Sequence, residues 1–195
     1  MATTVRLRLA AMLAAAALAG PACAGNQDLV IAARQQVGVT VIYDGSYRRL
    51  RYPGGDLPVE RGVCTDVVVR ALRTARAMDL QQLVHEDMSA HFGDYPARRR
   101  WGAREPDANI DHRRVPNLMT WFERDGRARP VTAGAADYLP GDFVAWDLGG
   151  GILHIGIVSD RRAVSGVPLV IHNIGSGARE EDMLFRYTII GHYRL

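Results

Sequence analysis

The sequence predicts an α+β fold, with helices from the N-terminal part packed on an antiparallel sheet from the C-terminal part. Three observations predict it. Apolar residues recur at helical spacing only in the first two thirds of the chain. The last third carries four short β-branched or aromatic runs separated by Gly-rich and Pro-rich turns. The chain has 195 residues, 48% of them hydrophobic, which suits one domain around one core.

The elements follow in order. Residues Gln27 to Gln36 read as a first helix, with Leu29, Ile31, Ala32 and Ala33 on its apolar side. Val39 to Tyr43 is β-branched and extended, and Asp44-Gly45-Ser46 is a turn. Gly62-Val63 leads into a buried helix from Cys64 to Met78, whose first turn holds Cys64, Thr65 and Asp66. Asp79 caps a second helix beginning at Leu80. Tyr95 to Asn117 is Arg-rich, contains Pro96, Pro106 and Pro116, and reads as a long connection of the kind that often carries function. Leu118 to Arg124 is a short amphipathic helix. Four strands close the chain as a meander: Phe143 to Trp146, Ile152 to Ser159, Leu169 to Ile174 and Thr188 to Arg194.

The first 24 residues read as an export leader. Arg6 and Arg8 precede the apolar run Leu9 to Leu18, Gly20-Pro21 breaks it, and Ala22-Cys23-Ala24 fits a small-x-small cleavage site. Residues 25–195 would then form the mature domain, periplasmic or secreted, with no stable membrane insertion. A single-span anchor and lipidation at Cys23 are the alternatives. Cleavage after Ala24 removes one of the two cysteines and leaves Cys64 unpaired in a compartment where thiols are usually paired. The net charge is +3, two charges of it in the leader, and every basic residue is Arg. Such a weak, scattered surplus argues against a nucleic-acid partner.

Cys64 at the start of a helix is placed where the helix's partial positive charge favours a thiolate and where free backbone N–H groups can hold an oxyanion. Taken alone it is equally a small buried hydrophobe. Strand alternation puts Leu153, Ile155 and Ile157 on one face, and His154, Gly156 and Val158 on the other. His172 falls on the neighbouring strand and can fix the tautomer of His154, with Asn173 as the fallback. The chain order Cys, His, polar residue is the layout of a papain-like site. Asp107-x-Asn109-x-Asp111 imitates a calcium loop, but His112 stands at the glycine position and Leu118 at the final carboxylate position. Asp111-His112-Arg113-Arg114 in the long connection either lines a cleft, with arginine on a carboxylate, or forms a solvated loop held by salt bridges. No histidine pattern has metal-ligand spacing, so neither metal nor cofactor is expected.

Gly62 to Asp66, Asn109 to Asn117, Pro140-Gly141-Asp142, His154 to Asp160, His172 to Gly175 and Gly191 to Arg194 together resemble the YijF-like family, a bacterial domain of unknown function. The resemblance spans nearly all of residues 25–195. That family is grouped with NlpC-type and CHAP-type cysteine peptidases and amidases, and the resemblance implies a papain-like fold. It also implies Cys64 as nucleophile, His154 as base and His172 as third residue. Thr65-Asp66 stands where NlpC-type enzymes carry Ser-Gly. Asp66, Asp111, Arg113, Trp146 and Asn173 are the candidate substrate-binding residues. The expectation is a monomeric hydrolase of cell-wall peptide amides, with a non-catalytic envelope binding module or a thiol acyltransferase as the alternatives.

Overall fold

The computed structural model describes residues 26–195, so the leader and Cys23 lie outside the described residues. Helix α1 spans Gln27–Arg34. Two short strands, β1 (Ile42–Tyr43) and β2 (Arg61–Gly62), pair in parallel and deliver the chain into α2, Cys64–Arg76. Helix α3 is Leu80–His91, and the Asp79 side chain accepts from the Gln81 N–H, as its capping role requires. The sheet comprises β3 (Phe143–Asp147), β4 (Leu153–Arg162), β5 (Pro168–His172), β6 (Arg179–Glu181) and β7 (Thr188–Tyr193), all antiparallel, in the order β6-β5-β4-β3-β7.

Three expectations are corrected. The Tyr95 to Asn117 connection is not structureless. It contains α4, Ala97–Trp101, ended by Gly102 at φ 64, and a 3-10 turn at Asp111–Arg113. Helix α5 then starts at Val115, not Leu118, because Pro116 in its first turn lacks an N–H that would go unpaired there anyway. The last strand does not extend a meander. Residues Arg179-Glu180-Glu181, too charged to show alternation, take the free edge beside β5, where Glu180 meets Arg34 and Arg161. That leaves β7 to pair with β3 on the other edge.

The sheet separates two apolar layers. On the first face, Phe143, Ala145, Ile155, Ile157, Ile171 and Tyr193 pack with α1, α2, α3 and α5. Phe122 of α5 stacks between Phe143 and Tyr193, with ring centroids 4.8 and 5.1 Å away. On the second face, Val144, Trp146, Val158 and Val170 pack against Tyr138, Met183 and Leu184. Among the described residues no helix is long and apolar enough to cross a membrane.

The Pro140-Gly141-Asp142 turn is locked to β7 by charge. Arg194 Nε donates to Asp142 Oδ1 at 2.6 Å and Nη2 to Oδ2 at 2.6 Å, while His192 Nε2 lies 2.8 Å from Oδ2. Burial pushes the Asp142 carboxyl up. Arg194, His192 and the Leu139 N–H outweigh this and hold it below its ordinary value. Its stabilisation is therefore present above the unfolded carboxyl pKa of about 4. It is lost as pH falls through the lower folded value. Asp142→Ala strands the buried His192 and the part-buried Arg194 and should cost about 3 kcal/mol, the lower end for a broken buried pair. Urea unfolding at neutral pH measures it, and a loss under about 1 kcal/mol, the worth of an exposed pair, would show the turn is not held this way.

Candidate active site

Cys64 is the first residue of α2, as the sequence predicts, and it is 5% exposed. The loop before it is fixed by buried charge. Arg70 donates to both oxygens of Asp56 at 2.9 Å and to the carbonyl of Arg61 at 2.9 Å. Asp66 reaches back so that its Oδ2 accepts from the Val63 N–H at 2.6 Å, satisfying one free donor of the helix start. The same carboxylate takes a two-pronged ion pair from Arg113, both contacts at 3.0 Å, with side chains 4% and 1% exposed. Arg113 also donates to the carbonyls of Asp44 at 2.6 Å and Ser46 at 3.0 Å. Asp66 and Arg113 therefore spend their hydrogen-bonding capacity on each other and on the backbone. They form the wall of the cleft and do not reach into it.

Three more of the predicted binding residues take structural positions. Asp111 is buried and accepts from the Asp107 N–H, with Arg114 Nη1 and Asn117 Nδ2 at 3.4 Å. Trp146 is buried on the second sheet face, donates to the Leu184 carbonyl at 2.9 Å, and lies over His154 with ring centroids 5.8 Å apart. Asn173 is buried, and its Nδ2 donates to the Gly62 carbonyl at 3.1 Å, tying the end of β5 to the strand that precedes Cys64. The fallback in which Asn173 orients His154 does not arise, because Asn173 is engaged there.

The histidines do meet. Nε2 of His154 and Nδ1 of His172 share a buried hydrogen bond at 2.9 Å. Gly156 makes this possible. A Cβ there would lie 2.7 Å from Val170 Cγ1 and 3.0 Å from His172 Cβ, so only glycine lets β5 approach. Nε2 of His172 lies 3.5 Å from the Glu181 carboxylate. Nε2 makes no hydrogen bond to it among the described residues, but the nearby acceptor favours the proton on His172 Nε2. Its Nδ1 then accepts from His154 Nε2–H and leaves His154 Nδ1 unprotonated.

The thiol approaches the same strand differently. Cys64 packs with Ile155 and Ile157 in the first layer, whereas both histidines lie with Trp146 and Val170 on the second face. The sulfur lies against the backbone N–H of Ile155, the residue that follows His154. Among the described residues no hydrogen bond joins Cys64 to either ring. The expected lowering of the thiol pKa is also overturned. Burial pushes it up to about 11, and the N–H groups of Ile155, Thr65 and Cys64 offset only part of this. Burial likewise pulls His154 down to about 3, helped by His172, and His172 down to about 4 against the pull of Glu181. At neutral pH the resting groups are a thiol and two neutral imidazoles.

Cys64 opens on a cleft of about 300 Å³ lined by Tyr43, Arg100, Trp101, Arg114, Pro116 and Leu153, among others. The sequence reading placed Arg114 in a run that could line the cleft, and it missed Tyr43, Arg100 and Trp101. The only available signal was the run Arg98-Arg99-Arg100-Trp101, inside a segment read as loop. Among the described residues no group of three or more His, Cys, Asp or Glu side chains is arranged to hold a metal ion.

A buried polar site at the junction of a helix start and a sheet, opening on a charged cleft, defines a small α+β protein with one candidate reactive thiol. Residues 30–195 match the family described as a domain of unknown function, DUF1287, and the chain belongs to that family. It is similar to the "Uncharacterized protein YijF" of Escherichia coli (strain K12), 57% identical over 171 residues, which cover 87% of this chain and 82% of that protein.

Both histidine values lie below the unfolded one of about 6.5, so the unfolded chain binds more protons as pH falls beneath it. Stability is fully present above that point and declines toward pH 4, by about 1.4 kcal/mol per pH unit for each histidine. His172→Gln should flatten the decline in urea midpoint between pH 7.5 and pH 5. An unchanged slope would mean that His172 is already protonated in the folded protein.

Proposed function

We propose that this protein is an exported cysteine hydrolase of papain-like architecture, allied to the NlpC-type and CHAP-type enzymes, that cleaves amide bonds of cell-wall peptides. The observation that carries the reading is the buried His154–His172 hydrogen bond, formed on the strand whose next backbone N–H touches the Cys64 sulfur. A solvent-excluded histidine pair with a carboxylate beyond it costs desolvation, and general-base chemistry is a use that repays it.

In this reading the thiol proton passes to His154 Nδ1, the nitrogen that His172 leaves free. Catalytic hydrogen bonds are often long before substrate binds, and this step requires the Cys64 sulfur and His154 Nδ1 to come within hydrogen-bonding reach, directly or through one water. The sulfur bonds to the amide carbonyl carbon, and the oxyanion is held by the free N–H groups of the first turn of α2. His154 returns the proton to the leaving amine as the C–N bond breaks. Water, with its proton taken by His154, then splits the thioester into a carboxylate and the free thiol. The high thiol pKa fits concerted base catalysis better than a standing thiolate–imidazolium pair. It is also what a non-catalytic binding module with an inert core cysteine would have.

The test is release of free amines from wall muropeptides by residues 25–195. Turnover should vanish in Cys64→Ala, with fragment binding retained. In His154→Ala it should fall by about 10²–10⁴, the span of a positioned base. Fragment binding without turnover in the unaltered protein supports the binding module, and turnover that survives Cys64→Ala removes Cys64 from the mechanism.

A further inference from the structure

We infer that the cleft at Cys64 is an anion subsite, and that the amide it receives carries a carboxylate beside the scissile bond. The inference rests on Cys64 being the nucleophile and names the substrate class for that site.

Among the described residues no acidic side chain lines this cleft, whereas three arginines do. They are not equivalent. Arg113 is sealed into its pair with Asp66. Arg114 is only partly neutralised, by Asp111 at 3.4 Å, and its guanidinium lies 4.1 Å from the centroid of the Trp101 ring. Stacking on an aromatic face fixes the plane of a guanidinium and leaves its N–H edge free for a carboxylate. The side chain of Arg100, exposed on α4, makes no ion pair or hydrogen bond among the described residues. Two arginines, one stacked and one free, thus face the same space as the thiol.

The walls of this cleft leave Arg100 uncompensated and Arg114 only partly compensated. A second groove, of about 580 Å³, shares Trp101, Ile110 and Arg114 with the first and is lined by Glu105, Asp107 and Asp111. The acidic groups line that groove and not the one at Cys64. An anion in this cleft would meet two guanidinium forks and no acidic side chain in the lining. Arginine suits this task because its planar donors match a carboxylate in two-pronged geometry.

The experiment compares alkylation of Cys64 in residues 25–195 by iodoacetate, an anion, and iodoacetamide, its neutral isostere. The ratio of the two rates is referred to a free cysteine peptide. The ratio should exceed the peptide's. It should fall by up to about fivefold in Arg100→Gln, the upper size of one exposed charge pair, and should recover in Arg100→Lys. A reactive thiol whose ratio equals the peptide's and ignores Arg100 overturns the anion subsite while leaving the nucleophile standing. A native thiol that reacts with neither reagent removes the nucleophile instead. The subsite is then decided by Trp101 fluorescence during titration with N-acetylglutamate and N-acetylglutamine. Saturation by the acid alone, lost in Arg100→Gln, upholds it, and no response to the acid overturns it.

Discussion

The buried ion pair between Asp66 and Arg113 is the constraint on which the rest of the site depends. Its two contacts and the Asp66 hydrogen bond to the Val63 N–H join the start of α2 to the connection between α4 and α5. Through the carbonyls of Asp44 and Ser46 the same guanidinium holds the loop after β1. Three segments far apart in sequence thus converge on the residue two positions after Cys64. Burying two charges is repaid only when every donor and lone pair is satisfied. That explains why Arg113 faces inward while its neighbour Arg114 is left to the cleft.

A second constraint acts from the sheet. Asn173 ties the end of β5 to Gly62, and Gly156 allows β5 close enough for His172 to reach His154. Trp146 covers the pair, and Glu181 stands at its outer end. The price of this enclosure is visible in the charge states. Thiol and imidazoles are all held neutral by desolvation, so the enclosure carries no standing charge at neutral pH. The thiol and the histidines come to one strand from different layers, and the approach is closed at the backbone of Ile155.

Much of this was legible in the residues. The Asp79 cap, the helix starting at Cys64 and the alternation of β4 each follow from local rules, and each stands where those rules put it. The meeting of His154 and His172 follows from a hairpin and a two-residue period. The misses share one cause. Strand β6 is charged and owes its place to Arg34, 146 positions from its partner Glu180. Helix α4 is a five-residue segment with no periodicity to detect, yet it brings Arg100 and Trp101 to the cleft. The thiol pKa went the wrong way because a helix terminus is a local feature and burial is not.

The sequence by itself determined the class of fold, the order of its main elements and the family to which the chain belongs. It also determined which strand face carries the histidines, because periodicity is written in neighbouring residues. The tertiary structure alone decided which polar residues are spent and which are free. Asp66, Asp111, Arg113, Trp146 and Asn173 look like binding residues in the sequence and are consumed in holding the walls together. Arg100 looks like a loop charge and faces the cleft. Whether a side chain has a partner depends on what distant segments bring to it, and that is settled only when the chain has closed on itself.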